Sequence, residues 1–64
     1  MTKSQRQHVL VRLLGQGDVS SQAELVNLLA AEGIAATQVT VSRDLEDLGA
    51  VKVRVPSGDS VYAI

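Results

Sequence analysis

Near residue 50 the spacing of apolar side chains changes, and that change limits the folds open to this chain. Before it, in "SQRQHVLVRLLGQGD", "VSSQAELVNLLAAEG" and "TQVTVSRDLEDLG", Leu and Val return at intervals of three and four. After it, in "AVKVRVPSGDSVYAI", they return at every second residue. The first spacing places apolar groups on one side of a helix, and the second places them on one face of a strand. Glycines stand where each segment ends. The order is therefore three helices and then a hairpin.

In the first helix, Leu10, Leu13 and Leu14 share one side with Val9 at its edge, while His8 and Arg12 project away. Ser4 and Gln7 have capping-box spacing at its start, and Gly15 and Gly17 bracket its end. The second helix has the same signature in Ser21 and Glu24, buries Leu25, Leu28 and Leu29, and stops at Gly33. Val19 and Ser20, just before it, have the makings of a very short strand. Thr37 suits the cap of a third helix over residues 38–48, whose inward stripe is Val41, Leu45 and Leu48, with Gly49 closing it. Val51, Val53 and Val55 alternate with Lys52 and Arg54, giving one apolar and one basic face. "PSGD" is a turn, since Pro56 presets its own φ and Gly58 tolerates a positive one, and "SVYAI" returns as the partner strand. Three short helices followed by a two-stranded antiparallel hairpin make an α+β winged helix-turn-helix, one domain over residues 1–64.

Size sets what must hold this together. In 64 residues with one Tyr, no Phe, no Trp and no Cys, the core rests on aliphatic side chains without disulfide or Cys-based zinc support. At 45% hydrophobic and 20% charged, the composition is that of a folded domain rather than a disordered tail. No signal-peptide-like start and no run of about 18 apolar residues is present, so a cytoplasmic protein is expected.

The third helix carries chemistry its stripe does not need. With Val41, Leu45 and Leu48 inward, Val39, Arg43 and Glu46 point most directly out, flanked by Thr40, Ser42 and Asp47, with Gln38 on the first turn. Gln, Thr, Ser and Arg are hydrogen-bonding groups of the reach that meets base edges and phosphates. An Arg fork at position 43 matches the two major-groove acceptors of guanine; the plainer reading is a surface Arg paired with Glu46 or Asp47. Gln38 suits an adenine edge or a phosphate beside the positive end of the helix, and Thr40 and Ser42 suit phosphates. Lys52 and Arg54, read as the outward face of the wing strand, would meet phosphates or a narrow minor groove; their plainer role is to blunt an edge strand. Backbone contacts at the wing tip, Ser57 and Gly58, are barely constrained.

The run from "SQAEL" through "TQVTVSRDLEDLG" to "VKV" resembles the N-terminal DNA-binding domain of bacterial arginine repressors, and the likeness covers nearly the whole chain. The resemblance implies a transcription factor controlling arginine biosynthesis and catabolism genes. It also implies a palindromic, A·T-rich operator. A second, C-terminal domain would assemble hexamers and bind L-arginine as corepressor. None of that second domain is in these 64 residues, so the chain is expected to be the DNA-binding part alone, without a cofactor of its own and monomeric. The family's contact positions carry over to Gln38, Ser42 and Arg43. Val39 stands where the family often has Ala, a change that bears on contact with a thymine methyl.

Charge pulls the other way. Six Lys or Arg against seven Asp or Glu leave a net charge of −1, whereas duplex binders usually carry positive excess. The expectation that answers this puts Lys3, Arg6, Arg43, Lys52 and Arg54 toward the DNA, and Asp18, Glu24, Glu32 and Asp59 on turns and other faces. Glu46 and Asp47 stay near the reading helix, and weak binding by a lone domain follows. An enzyme is not expected: His8 is the only His, and "GQG" lacks the Lys of a phosphate loop. The rival is a winged-helix protein-interaction or dimerisation module, which would expose a contiguous apolar patch on its third helix or wing. Single-stranded RNA binding lacks its stacking aromatics.

Overall fold

The fold follows the change of period. A computed structural model describes residues 2–17 and 19–64. Helices α1 (Lys3–Gly15), α2 (Gln22–Ala31) and α3 (Gln38–Leu48) precede strands β1 (Val51–Arg54) and β2 (Ser60–Ala63). The strands pair antiparallel, Val51 facing Ala63, Lys52 facing Tyr62, Val53 facing Val61 and Arg54 facing Ser60. This is the winged helix-turn-helix order, and α2 and α3 form its central pair.

The core lies where the three helical stripes meet. Leu10, Leu13 and Leu14 of α1, Leu25 and Leu29 of α2, and Val41 and Leu45 of α3 are buried together, sealed by Val19 and Ile34 from the connecting segments. Each such side chain contributes about 1.5–3 kcal/mol by leaving water, which is how an almost aromatic-free core suffices. Leu28 and Leu48 lie at its margin and are half-buried.

Helix ends differ from expectation in two details. The box at the start of α1 is formed by Thr2 and Gln5, not by Ser4 and Gln7: the Gln5 N–H donates to Thr2 Oγ1 (3.1 Å), and the Thr2 N–H to Gln5 Oε1 (3.0 Å). The same T/S-x-x-Q spacing recurs two residues earlier, and Gln7 is engaged elsewhere. At α2, Ser21 caps the Glu24 N–H (3.1 Å) as expected, but the Glu24 carboxylate accepts from Ser20 rather than Ser21 (3.3 Å). Thr37 caps α3 through the Thr40 N–H (3.2 Å). Helix α3 closes on Gly49, in the left-handed region at φ 73°, with the Ala50 N–H reaching back to the Leu45 carbonyl (2.9 Å). A side chain at 49 would be strained there, and this closure turns the chain straight into β1.

The hairpin corrects a third expectation. Val19 and Ser20 form no strand, yet the Val19 carbonyl accepts from the Tyr62 N–H (2.8 Å) and ties β2 to the helical layer. Tyr62 packs against the core. Because facing residues share a side of the sheet, Lys52 and Arg54 lie on the Tyr62 side, and Val51, Val53, Val61 and Ala63 are on the other. Lys52 and Arg54 are exposed, but the outward face of the wing belongs to the valines: Val51 is 58% and Val53 41% exposed. Alternation separates two faces without saying which turns inward. The one aromatic, which buries more area than a valine, decides it.

Candidate nucleic-acid interface

Helix α3 is built with two unlike sides. Its inner side puts Val41 and Leu45 into the core, and Asp44 with them, 1% exposed. Its outer side leaves Gln38, Val39, Arg43, Glu46 and Asp47 in water, with Thr40 and Ser42 half-buried at the flanks. A shallow groove along that outer side is lined by Gln22, Gln38, Val39, Ser42, Arg43 and Glu46. All four helix residues singled out from sequence therefore stand on or beside one solvent-facing surface.

Their hydrogen bonding is mostly unspent. Thr40 accepts from the Thr37 hydroxyl (3.0 Å), which leaves the Thr40 proton free to donate. Gln38 Nε2 donates to Gln22 Oε1 (3.4 Å), leaving Gln38 Oε1 and its other N–H open for the two-point pattern an adenine edge requires. Among the described residues Arg43 makes no ion pair, so the plainer reading, an Arg tied to Glu46 or Asp47, does not describe it.

Charges sort themselves in a way composition hides. Lys3 pairs with Asp47 (2.9 Å), Arg6 with Asp44, and Arg12 with Glu32. Three of the six cations are thus spent inside the domain. Among the described residues, the three without an acidic partner are Arg43, Lys52 and Arg54, three of the five cations expected toward the DNA from sequence. Lys52 Nζ lies 5.3 Å from the centre of the Tyr62 ring, held over its face. Lys3 and Arg6, expected toward DNA, are instead committed to α3. Asp18, expected on a turn, lies outside the described residues.

The Asp44 site was missed. Arg6 meets its carboxylate through Nε and through Nη2 (3.0 Å to Oδ1), and Gln7 Nε2 adds a bond to Oδ1 (3.2 Å). The Arg6 hydrogen bonds hold the carboxyl below the usual carboxylate range despite burial, with Gln7 adding to the effect. A signal existed: position 44 follows Val41 by three and precedes Leu48 by four, so it belongs to the inward stripe, and a charged residue there demands a partner. Gln22 was missed too, for its meeting with Gln38 depends on how α2 and α3 pack.

A family model described as arginine repressor, DNA binding domain, matches residues 1–64, the whole chain. The chain belongs to that family. Arginine repressor DNA-binding domains are parts of DNA-binding regulators and not of an enzyme family, so double-stranded DNA is the partner of a domain of this kind. No helix among the described residues is long and apolar enough to cross a membrane.

Proposed function

We propose that α3, residues 38–48, enters the major groove of an operator and that the hairpin, residues 50–64, lies on the flanking backbone. Arg43 takes guanine O6 and N7, Gln38 an adenine edge or a phosphate, and Ser42 and Thr40 donate to phosphates. Lys52 and Arg54 neutralise phosphates beside the groove. The observation that carries this reading is the sorting of charge: every cation on these two elements is without an acidic partner among the described residues, while the other three are paired.

The likeness to arginine repressors supports the rest. The regulator represses arginine biosynthesis genes in the cytoplasm, on a palindromic A·T-rich operator. A further domain outside these 64 residues binds L-arginine as corepressor and assembles hexamers, and the lone domain is monomeric. Several copies on one palindrome then supply the affinity that a domain of net charge −1 lacks.

The test is direct. A duplex is enriched by this chain from a randomised library, and its affinity is compared with that of a scrambled duplex of the same composition. Arg43→Ala should weaken the enriched duplex by roughly 10- to 100-fold, in line with ~1–3 kcal/mol for a bidentate contact, and relax the preference at one base pair. Failure to enrich any sequence, or an equal loss on both duplexes, refutes base reading by α3.

A further inference from the structure

Helix α3 contains Arg43 against Asp44, Glu46 and Asp47, an excess of two negative charges on the element offered to a polyanion. Bare, it would be repelled at short range, where salt screens least. The structure answers this from α1. Arg6 closes on Asp44 with two guanidinium nitrogens, Gln7 adds a third bond, and one helical turn further along Lys3 reaches Asp47. These contacts follow one edge of α3 and face a groove that Arg43 also lines. Among the described residues, only Glu46 and Arg43 of α3 are then left without an opposite charge, and they nearly cancel.

We propose that Lys3, Arg6 and Gln7 act in recognition through α3 rather than by touching DNA: Arg6 and Gln7 fix the roll of α3 about its axis through Asp44, and Lys3 and Arg6 neutralise its acidic edge. The inference rests on α3 being the element that reads the duplex. Roll matters because Arg43 is the next residue to Asp44. Val41 and Leu45 on the inner side of α3 seat it by packing but offer no hydrogen bond, whereas the planar fork on the Asp44 carboxylate adds a directional constraint. Holding Asp44 therefore aims Arg43. Lys3 and Asp47 are both largely exposed, so their pair adds little to stability and its effect falls on the charge presented to phosphates.

Two sets of variants test this, using the enriched and scrambled duplexes above, with folding of every variant checked by circular dichroism. Arg6→Lys keeps the charge and loses the fork; Asp44→Asn keeps the shape and loses the charge that orients it. For both, preference for the enriched over the scrambled duplex should fall about tenfold, and the amide signals of residues 42–44 should shift in the free protein. An unchanged preference in folded Arg6→Lys overturns the positioning role. For the edge, Lys3→Gln should weaken binding to both duplexes about threefold in the parent, yet by less than a factor of 1.5 in an Asp47→Asn background. A Lys3→Gln loss of the same size in both backgrounds shows Lys3 acting on DNA directly and refutes the neutralising role. A parent chain that enriches no sequence would instead defeat the prior reading of α3, which is a separate result.

Discussion

Helix α3 and the hairpin wing are neighbours in sequence, joined through Gly49 and Ala50, but they are held in different ways. On its inner side α3 meets the core through Val41 and Leu45, along one edge it is clamped by Arg6 and Gln7, and its ends are closed by Thr37 and Gly49. The hairpin is held along one side of one strand: Tyr62 packs inward and its N–H meets Val19, while every residue of β1 is exposed. An element that discriminates bases needs fixed side-chain directions, and one that follows phosphates does not. The difference in anchoring matches the different tasks proposed for the two elements. It also says where each element can be broken.

The largest effect should come from the inner side of α3. Leu45→Ala removes a buried side chain at the meeting of three helices, and ~2–5 kcal/mol is expected from lost transfer and the cavity left behind. In a domain this small that is a large part of the total stability. Urea unfolding followed by circular dichroism measures it. A loss below 1 kcal/mol would mean that α3 is not seated as described.

Next comes the clamp. Asp44→Asn should cost about 1.5 kcal/mol at pH 7 through loss of charge-assisted bonds to Arg6. Because the folded state holds the Asp44 carboxyl below its ordinary value, the parent keeps this contribution above about pH 4 and loses it as pH falls through the folded-state value. The gap in stability between parent and Asp44→Asn should therefore be constant from pH 7 to about 5, narrow below about 4, and close at still lower pH. A gap that stays constant down the acid limb would show that the charge of Asp44 plays no part.

The same contrast explains what could be read from sequence. Helices α1 to α3 were legible because each has a stripe at intervals of three and four, bounded by a capping Thr or Ser and a Gly. Arg43 and Gln38 were legible as contact candidates because a stripe that fixes the inside also fixes the outside. Asp44 was not legible as a core position because a stripe is marked by its apolar members and the partners of Asp44 lie 37 and 38 residues away in the chain. Capping was placed correctly in kind at α1 and wrongly in register, since Thr2-x-x-Gln5 and Ser4-x-x-Gln7 are locally equivalent and only the pull of Asp44 on Gln7 separates them. For the hairpin, alternation showed two faces, but choosing between them required the packing of Tyr62.

That choice yields the smallest effect and the sharpest check of the hairpin. Had the valines faced the core, Val53→Thr would bury a hydroxyl without a partner and cost well over 1 kcal/mol. With Val53 41% exposed on the face away from Tyr62, the hydroxyl stays in water, and Thr is as good a strand former as Val. A change within about 0.5 kcal/mol is expected, as for surface sites generally. Duplex affinity should also stay within twofold, because Lys52 and Arg54, on the opposite face, keep their directions. A stability loss above 1 kcal/mol would reverse the wing, turning Lys52 and Arg54 outward and the valines into the core. A stable variant that loses duplex binding would have a different meaning: it would place the valine face itself, and not the basic one, against the partner.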